Sequence, residues 1–404
     1  MIERKKYIKI WKELSQDKSV IFISGPRQTG KTTLSRMISK DYKNNLYFNY
    51  DMILNKQKLV NDPLFFEKVD RKDNTTPLII FDEIHKYSDF KNYLKGIIDQ
   101  FSLNYKFLVL GSGRLDTYQK GSDSLAGRYF QFRLFPFTIS EFSRNNSQIV
   151  DFLENPLNCI NSDNSYPRWY DLTEYSGFPE PYLKATKEFF IRWSNTYHQQ
   201  VIRDDILSMK ELRKIDELEM LFSILPFKIS SPLSLDSLAR DIKVSFNAVK
   251  SWINIFESLF LVFRISPWTN KISRSLSKEK KLYLYNYAII NDPAKKFENM
   301  VALELYRATT NWNNLGYGTF SLHYIRNKEK QEVDFLIANN RKPVLLIEVK
   351  LNDPHPPPSL IKFQDILNVP AIQLVNQKEI YRILTNKNNK ILIITAPKWL
   401  SSLP

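Results

Sequence analysis

One short stretch constrains the fold of this chain more than any other: GPRQTGKT, residues 25–32. It follows an apolar run, residues 20–24, and leads into a segment with helical periodicity. Glycines at both ends let the backbone curl until its N–H groups point inward, and the following helix adds its positive N-terminal end. A buried strand, this loop and a helix therefore predict a phosphate cradle within an α/β fold.

Each part of the loop has an expected role toward a nucleotide. The ammonium of Lys31 is expected to bridge the β and γ phosphates of ATP, and the hydroxyl of Thr32 to coordinate Mg²⁺. The residues predicted to hold the nucleotide are Gly25, Pro26, Arg27, Gln28, Thr29, Gly30, Lys31, Thr32 and Thr33.

A second motif, LIIFDE at residues 78–83, supplies acidic partners for the loop. Asp82 emerges at the C-terminal end of a buried strand, where open α/β sheets bind their ligands. We expect Asp82 to hold Mg²⁺ opposite Thr32, and Glu83 to polarise the attacking water. Loop and acidic strand together predict binding and hydrolysis of ATP.

Two further residues are candidates for completing this site. A fourth strand ends in GSG, residues 111–113, and its tip is expected between the first and third strands. Ser112 is then either a sensor of the γ-phosphate or a plain turn serine. Arg128 either completes a neighbouring subunit's site as an arginine finger or forms a surface salt bridge.

Strands alternate with helices through the first third of the chain, which predicts a parallel sheet with helices on both faces. Residues 234–265 then read as helix, tight turn, helix and strand, a pattern typical of a winged helix-turn-helix; the alternative is an ordinary three-helix unit. Trp252, at helical spacing, is expected in the core. The basic residues expected either to follow a phosphate backbone or to form a solvated face are Arg240, Lys243, Lys250, Lys271, Arg274, Lys278, Lys280 and Lys281.

The last third contains a second set of charged residues. Asp334 lies in one strand of an apparent hairpin, and Glu348 and Lys350 share one face of the other. This is the D-x(n)-E-x-K arrangement of the PD-(D/E)xK phosphodiesterases, in which carboxylates hold Mg²⁺ and the lysine stabilises developing charge. The alternative is a pair of buried strands with charged ends.

Several segments, in this order, carry a family resemblance: GPRQTGKTTL, IIFDEIHK, GSGRL, SLAGRYFQFRLFPFTISEF, GFPEPYL and EVDFLI…LLIEVK. The chain resembles prokaryotic AAA+ superfamily ATPases that carry a C-terminal domain of unknown function with a restriction-endonuclease-like fold. The resemblance implies that Ser112 is the first sensor and that Glu298 is an extra acidic metal ligand. Asn286 departs from it, because relatives place an aspartate there.

Composition bears on partners and compartment. The net charge is +15, from 58 basic and 43 acidic residues, which favours a polyanionic partner such as nucleic acid or an anionic membrane surface. The alternative is that lysine and asparagine are abundant because the gene is AT-rich, and composition does not separate the two. The single cysteine, Cys159, excludes a disulfide framework, and no apolar run is long enough to span a membrane. We therefore expect a cytoplasmic protein with ATP and Mg²⁺ as cofactors, and no membrane partner.

The expected organisation has four parts. Residues 1–160 form an AAA+-like ATPase core, 161–222 a helical continuation, 223–280 the winged helix-turn-helix, and 281–404 a small α/β nuclease-like domain. The expected function is an ATPase that acts on or with DNA, as a monomer or a homo-oligomer; whether the C-terminal carboxylates cut DNA stays open. The alternative is a nucleotide-gated switch that binds a protein partner and uses a catalytically silent C-terminal scaffold.

Overall fold

The computed structural model describes residues 2–68, 70–111, 125, 127–143, 148–160, 165–205, 214–269, 279–386 and 389–404. It divides into two compact units, Met1–Phe135 and Pro136–Pro404, called here the first and second units. Within the described ranges, no helix combines the length and the apolar character needed to cross a bilayer.

The first unit is a parallel sheet with helices between its strands. Its helices are α1 (Lys5–Asp17), α2 (Lys31–Ser39), α3 (Ile53–Asn61) and α4 (Phe90–Phe101). Its strands are β1 (Val20–Ser24), β2 (Asn45–Asn49), β3 (Leu78–Asp82), β4 (Lys106–Leu110) and β5 (Phe130–Arg133).

All neighbouring strands of this sheet run parallel, in the order β2-β3-β4-β1-β5. The predicted parallel sheet is therefore confirmed, with β4 between β1 and β3. β1 and β3 are buried along their whole length, which explains their uninterrupted apolar sequences. Aromatic rings fill the adjoining core, among them Phe48, Phe66, Phe81, Phe101, Tyr105 and Phe107.

The second unit joins a helical region to a large mixed sheet. Its helices are α5 (Ile149–Glu154), α6 (Tyr166–Tyr175), α7 (Pro179–Lys184), α8 (Lys187–Gln200), α9 (Ile215–Ile224), α10 (Leu235–Asp241), α11 (Phe246–Ser258), α12 (Pro293–Asn314), α13 (Pro358–Leu367) and α14 (Ala396–Leu400). Its strands are β6 (Val262–Pro267), β7 (Lys281–Leu284), β8 (Phe320–Arg326), β9 (Glu332–Asn339), β10 (Lys342–Lys350), β11 (Ala371–Val375), β12 (Tyr381–Asn386) and β13 (Asn389–Thr395).

These eight strands lie in the order β12-β13-β11-β10-β9-β8-β6-β7. β8, β9 and β10 are antiparallel neighbours, whereas β10 pairs with β11 in parallel, after the crossover through α13. The predicted hairpin between β9 and β10 turns on Asn340 and Arg341, with φ of 47° and 64°. Two positive φ angles in a two-residue loop match the right-handed twist of the paired strands.

The helix-turn-helix segment is capped by its own serines. The hydroxyl oxygens of Ser234 and Ser245 accept hydrogen bonds from the backbone N–H groups of Ser237 and Ala248, at 3.3 and 3.2 Å. Each cap satisfies an N–H group that has no partner inside its helix. The two helices are followed by β6, which pairs with β7 in antiparallel fashion.

One strand is shorter than expected. The apolar run over residues 280–290 predicts a single strand, but β7 ends at Leu284 and a 3₁₀ turn follows at Tyr287–Ile289. The side chain of Asn299 accepts from the N–H of Leu284 and donates to its carbonyl, both at 2.8 Å. These two bonds satisfy the backbone N–H and C=O groups of Leu284, which are then not available to pair with a further strand.

Candidate functional site

The nucleotide loop, residues 25–32, has the backbone shape that its glycines predict. Gly25 and Gly30 have φ of 143° and 90°, and Gln28 also has a positive φ, of 60°. A Cβ atom on Gly25 would lie 2.2 Å from the carbonyl oxygen of Leu134. Position 25 therefore requires glycine for two reasons, its φ angle and the close approach of another backbone segment.

Lys31 opens helix α2 and folds back over the loop. Its ammonium donates to the carbonyl oxygens of Gly25 at 3.0 Å and Pro26 at 2.7 Å, and the Thr29 hydroxyl donates to the Pro26 carbonyl at 2.8 Å. The charge of Lys31 thus lies at the loop itself. A phosphate in the loop offers this ammonium a stronger, charged acceptor.

Thr32 and Asp82 meet at the C-terminal edge of the sheet. The Thr32 hydroxyl donates to Oδ2 of Asp82 at 2.8 Å, and the hydroxyl of Tyr47, on the adjacent strand β2, donates to the same oxygen at 2.6 Å. Burial and the neighbouring Asp82 raise the pKa of Tyr47, so this phenol stays protonated as a donor. A hydroxyl and a carboxylate facing each other are hard oxygen ligands, and these residues therefore fit Mg²⁺.

Glu83 follows Asp82 in a left-handed conformation, with φ of 57°. Its carboxylate lies 3.2 Å from the ammonium of Lys86 and 3.5 Å from Nε2 of His85. Lys86 also contacts Asp51 at 2.6 Å. Burial opposes the charge of Lys86, but Asp51 and Glu83 together raise its pKa, so the lysine remains a cation beside Glu83.

Arg4 is a further residue at the loop, and sequence reasoning missed it. It is buried, and its guanidinium donates to the carbonyl oxygens of Thr29 at 3.2 Å and Phe135 at 2.8 Å. The guanidinium also lies 4.8 Å from the centre of the Tyr7 ring. Arg4 is 25 residues from Thr29, and no local pattern marks the pair.

The two candidates for completing this site have different outcomes. Ser112 lies outside the described residues. Arg128 forms a two-pronged salt bridge with Asp99 on α4, through Nε at 2.7 Å and Nη2 at 3.4 Å, which holds the pKa of Asp99 below its usual range. The salt-bridge alternative thus describes Arg128 within a single chain, and a role as an arginine finger stays a prediction.

In the second unit, three carboxylates surround one buried lysine, and a fourth, that of Glu348, belongs to an adjoining ion pair. We call Glu298, Glu332, Asp334 and Glu348 the acidic cluster. The lysine is Lys281, on β7, and its side chain is 1% exposed. Its ammonium lies 2.6 Å from Glu332, 3.2 Å from Glu298 and 3.7 Å from Asp334. Burial opposes its charge, but the carboxylates outweigh burial and raise the pKa of Lys281.

Glu348 and Lys350 adjoin this group on strand β10. Their side chains form an ion pair at 2.7 Å, and the backbone N–H between them, that of Val349, donates to Oδ2 of Asp334 at 2.9 Å. Burial and the nearby Asp334 raise the pKa of Glu348 to about 8, and burial and Asp334 raise the pKa of Glu298 to about 7. The hydroxyl of Tyr283 donates to Glu298 at 2.8 Å.

The fold thus brings together the charged residues that the sequence predicts near the hairpin. It also places Lys281 beside them, which the sequence does not predict. Among the described residues, no group of three or more His, Cys, Asp or Glu side chains is arranged to hold a metal ion. Two of the three predicted ligands, Glu298 and Asp334, instead share the Lys281 ammonium. These residues do not fit a divalent cation, and the expectation that Lys281 contacts a phosphate backbone is wrong because its side chain is buried.

Other basic residues of the helix-turn-helix segment do face solvent. Arg240, Lys243 and Lys250 are exposed, whereas Trp252 is buried as predicted. Three further expected positions, 271, 274 and 278, lie outside the described residues. Asn286 is buried, and its side-chain amide donates to Ser194 at 3.1 Å.

Three features define the first unit as a nucleotide-binding P-loop ATPase domain. They are the parallel sheet, the loop with its two glycines, and the acidic residue at the C-terminal end of β3. Comparison with protein families agrees, because residues 17–143 match the family described as an AAA domain. Residues 167–298 match a domain of unknown function (DUF8612), and residues 295–398 match another (DUF4143).

Two curated relatives are uncharacterized proteins, Mb2031c of Mycobacterium bovis and Rv2008c of Mycobacterium tuberculosis. Each is 21% identical over 332 residues, which cover 80% of this chain and 68% of the relative. Among solved structures, the Walker-type ATPase PABY2304 of Pyrococcus abyssi is 14% identical, with a TM-score of 0.44 over 72% of this chain and 95% of that chain. A Drosophila ORC structure bound to DNA is also 14% identical, with a TM-score of 0.29 over 69% and 91% of the respective chains.

Proposed function

We propose that this protein hydrolyses ATP and uses the cycle to act on DNA through its second unit. The observation that carries the ATPase proposal is the hydrogen bond between Thr32 and Asp82 beside the nucleotide loop. It holds the two expected Mg²⁺ ligands at the point where β1 and β3 end. Mg²⁺, when bound, offsets the charge of the phosphates.

The roles of the protein's own groups follow from their positions. Lys31 leaves the loop carbonyls and binds the phosphates, while the N–H groups of the loop donate to phosphate oxygens. Glu83 orients the attacking water and takes its proton, and the Lys86 ammonium, 3.2 Å away, holds that carboxylate in place. Ser112 is proposed as the contact to the γ-phosphate.

The ATPase proposal is tested by separating binding from turnover. Glu83→Gln should bind ATP as the wild type does but lose turnover by about 100-fold or more, because an amide cannot accept the proton of water. Lys95→Gln, which changes an exposed residue of α4, serves as the control. Equal turnover in Glu83→Gln and wild type contradicts the role of Glu83.

The DNA proposal rests on the exposed cations of α10 and α11, which we propose to form a winged helix-turn-helix together with the β6–β7 pair. Replacing Arg240, Lys243 and Lys250 with Gln should weaken DNA binding. The slope of log affinity against log salt should fall by about 0.9 for each phosphate that the variant no longer neutralises. The matched control replaces three exposed cations of the same unit, Lys184, Lys187 and Arg192, with Gln. Equal weakening in both triple variants contradicts a specific role for this motif.

A second candidate function is a nucleotide-gated switch whose C-terminal sheet is a scaffold for a protein partner. The Lys281 ammonium inside the acidic cluster favours it over cutting, since it neutralises two of the expected metal ligands. ATP turnover without salt-sensitive DNA binding supports this candidate. The contrary outcome is DNA cleavage that depends on Mg²⁺ and is abolished by Asp334→Ala. That result excludes a silent scaffold and supports the nuclease prediction.

A further inference from the structure

Lys281 lies among three of the four carboxylates of the acidic cluster. Its ammonium is within 4 Å of Glu298 on α12 and of both Glu332 and Asp334 on β9. It is 1% exposed, so these partners replace the water that a lysine ordinarily keeps. We propose that Lys281 is the permanent cation of this cluster, and that the cluster functions without a divalent metal ion.

The surrounding contacts fit an ammonium and oppose a second cation. The ring of Tyr324 lies 5.5 Å from Nζ of Lys281, a contact that stabilises a cation over an aromatic face. Glu332 also binds Arg326 at 3.3 Å, and Glu348 binds Lys350 at 2.7 Å. Glu298 accepts from the Tyr283 hydroxyl as well as from Lys281, and Asp334 accepts a backbone N–H bond as well.

A magnesium ion needs oxygen ligands at about 2.0–2.1 Å in octahedral geometry, and it repels a neighbouring ammonium. To enter the cluster it has to displace Lys281, and the buried ammonium is then separated from three carboxylates at once. Removing one side of a buried charge group is strongly destabilising. The acidic cluster therefore favours the lysine over the metal.

The same ion pairs also connect separate elements of the second unit. β7 is the edge strand of the eight-stranded sheet, where it pairs with β6 and forms one isolated bridge from Lys281 to Pro232. Through Lys281, this edge is bound to α12 and to β9, which is not its neighbour in the sheet. The ion pairs of Lys281 thus link the helix-turn-helix and the β6–β7 pair to the C-terminal half of the sheet. This inference does not rest on the ATPase proposal.

The test is rescue by metal, measured by thermal melting without nucleotide. Wild type, Lys281→Arg and Lys281→Met are compared with and without Mn²⁺. We expect Lys281→Met to melt lower and to regain stability with Mn²⁺, because its carboxylates are then free to bind the ion. Mn²⁺ should not stabilise wild type or Lys281→Arg by binding to the acidic cluster. Adding Asp334→Asn to Lys281→Met should abolish the rescue of the melting temperature.

Metal binding to the unmodified cluster provides a second measurement if Lys281→Met does not fold. Mn²⁺ bound per chain is counted by electron paramagnetic resonance in wild type and in Asp334→Asn. Equal counts support the inference, since any ion at Asp82 is common to both proteins. One ion fewer in Asp334→Asn overturns it. Neither result depends on ATP, so failure here is distinct from failure of the ATPase proposal.

Discussion

At the scale of single residues, two glycines of the first unit meet opposite constraints. Gly25 has a φ of 143° and lies against the carbonyl of Leu134, whereas a Cβ atom added to Gly96, inside α4, would point into open space. The same substitution at the two positions therefore separates a glycine that the nucleotide loop needs from one that only weakens a helix.

Gly25→Ala should distort the loop, because strain of about 1–3 kcal/mol arises at such a backbone position before the clash with Leu134 is counted. ATP affinity should fall by about tenfold or more. Gly96→Ala is the control and should stabilise α4 by up to about 1 kcal/mol without changing ATP affinity. Both are measured by nucleotide titration and thermal melting; unchanged affinity in Gly25→Ala contradicts the close packing of the loop.

Tyr47→Phe removes one hydroxyl from the metal site and little else. This hydroxyl donates to the Asp82 oxygen that also accepts from Thr32, so it orients a proposed Mg²⁺ ligand. Removing such an orienting hydrogen bond typically costs about 10- to 100-fold in metal affinity or activity. The Mg²⁺ concentration for half-maximal ATP turnover should rise accordingly, and an unchanged value contradicts this role.

At the scale of elements, the helix-turn-helix depends on its caps as well as on its buried face. Ser245→Ala removes the cap of α11 and should cost about 1 kcal/mol. Hydrogen exchange at the first amides of α11 should then become about fivefold faster, the rate factor that matches this free energy. Ser251→Ala, an exposed position in the middle of the same helix, is the control and should not speed exchange. Equal exchange in both variants contradicts the cap.

The elements that the sequence predicts well are those with a local signal. The apolar runs of β1 and β3, the glycines of the loop and the alternation in β9 and β10 each act over a few residues. Arg4, Tyr47 and Lys281 were missed or misplaced because their partners are distant along the chain. Lys281 follows a basic run and looks like a surface residue in sequence; only the pairing of β7 with β6 directs its side chain inward.

At the scale of the whole molecule, charge sets the conditions for stability. The pKa of Glu348 is raised to about 8, so the folded chain holds this proton more tightly than the unfolded chain, whose carboxyl titrates near pH 4.5. Between about pH 4.5 and about pH 8 the unfolded state binds fewer protons, and stability from this group falls as pH rises.

Glu348→Gln should therefore reduce the loss of stability between about pH 5 and about pH 8, since an amide does not titrate. Thermal midpoints of wild type and variant are compared across this range. Glu298, whose pKa is raised to about 7, titrates in the same range but is present in both proteins, so the difference between the two profiles reports on Glu348. Parallel pH profiles contradict the assignment to Glu348.

We propose above that the loop at residues 25–32 binds ATP and that Lys31 is needed for its turnover. Steady-state phosphate release with Mg²⁺ is measured for wild type, Lys31→Ala and Lys40→Ala, the last an exposed lysine at the end of α2. We expect turnover in wild type and Lys40→Ala, and a loss of about 100-fold or more in Lys31→Ala. Absence of turnover in the wild type, or equal turnover in Lys31→Ala, contradicts it.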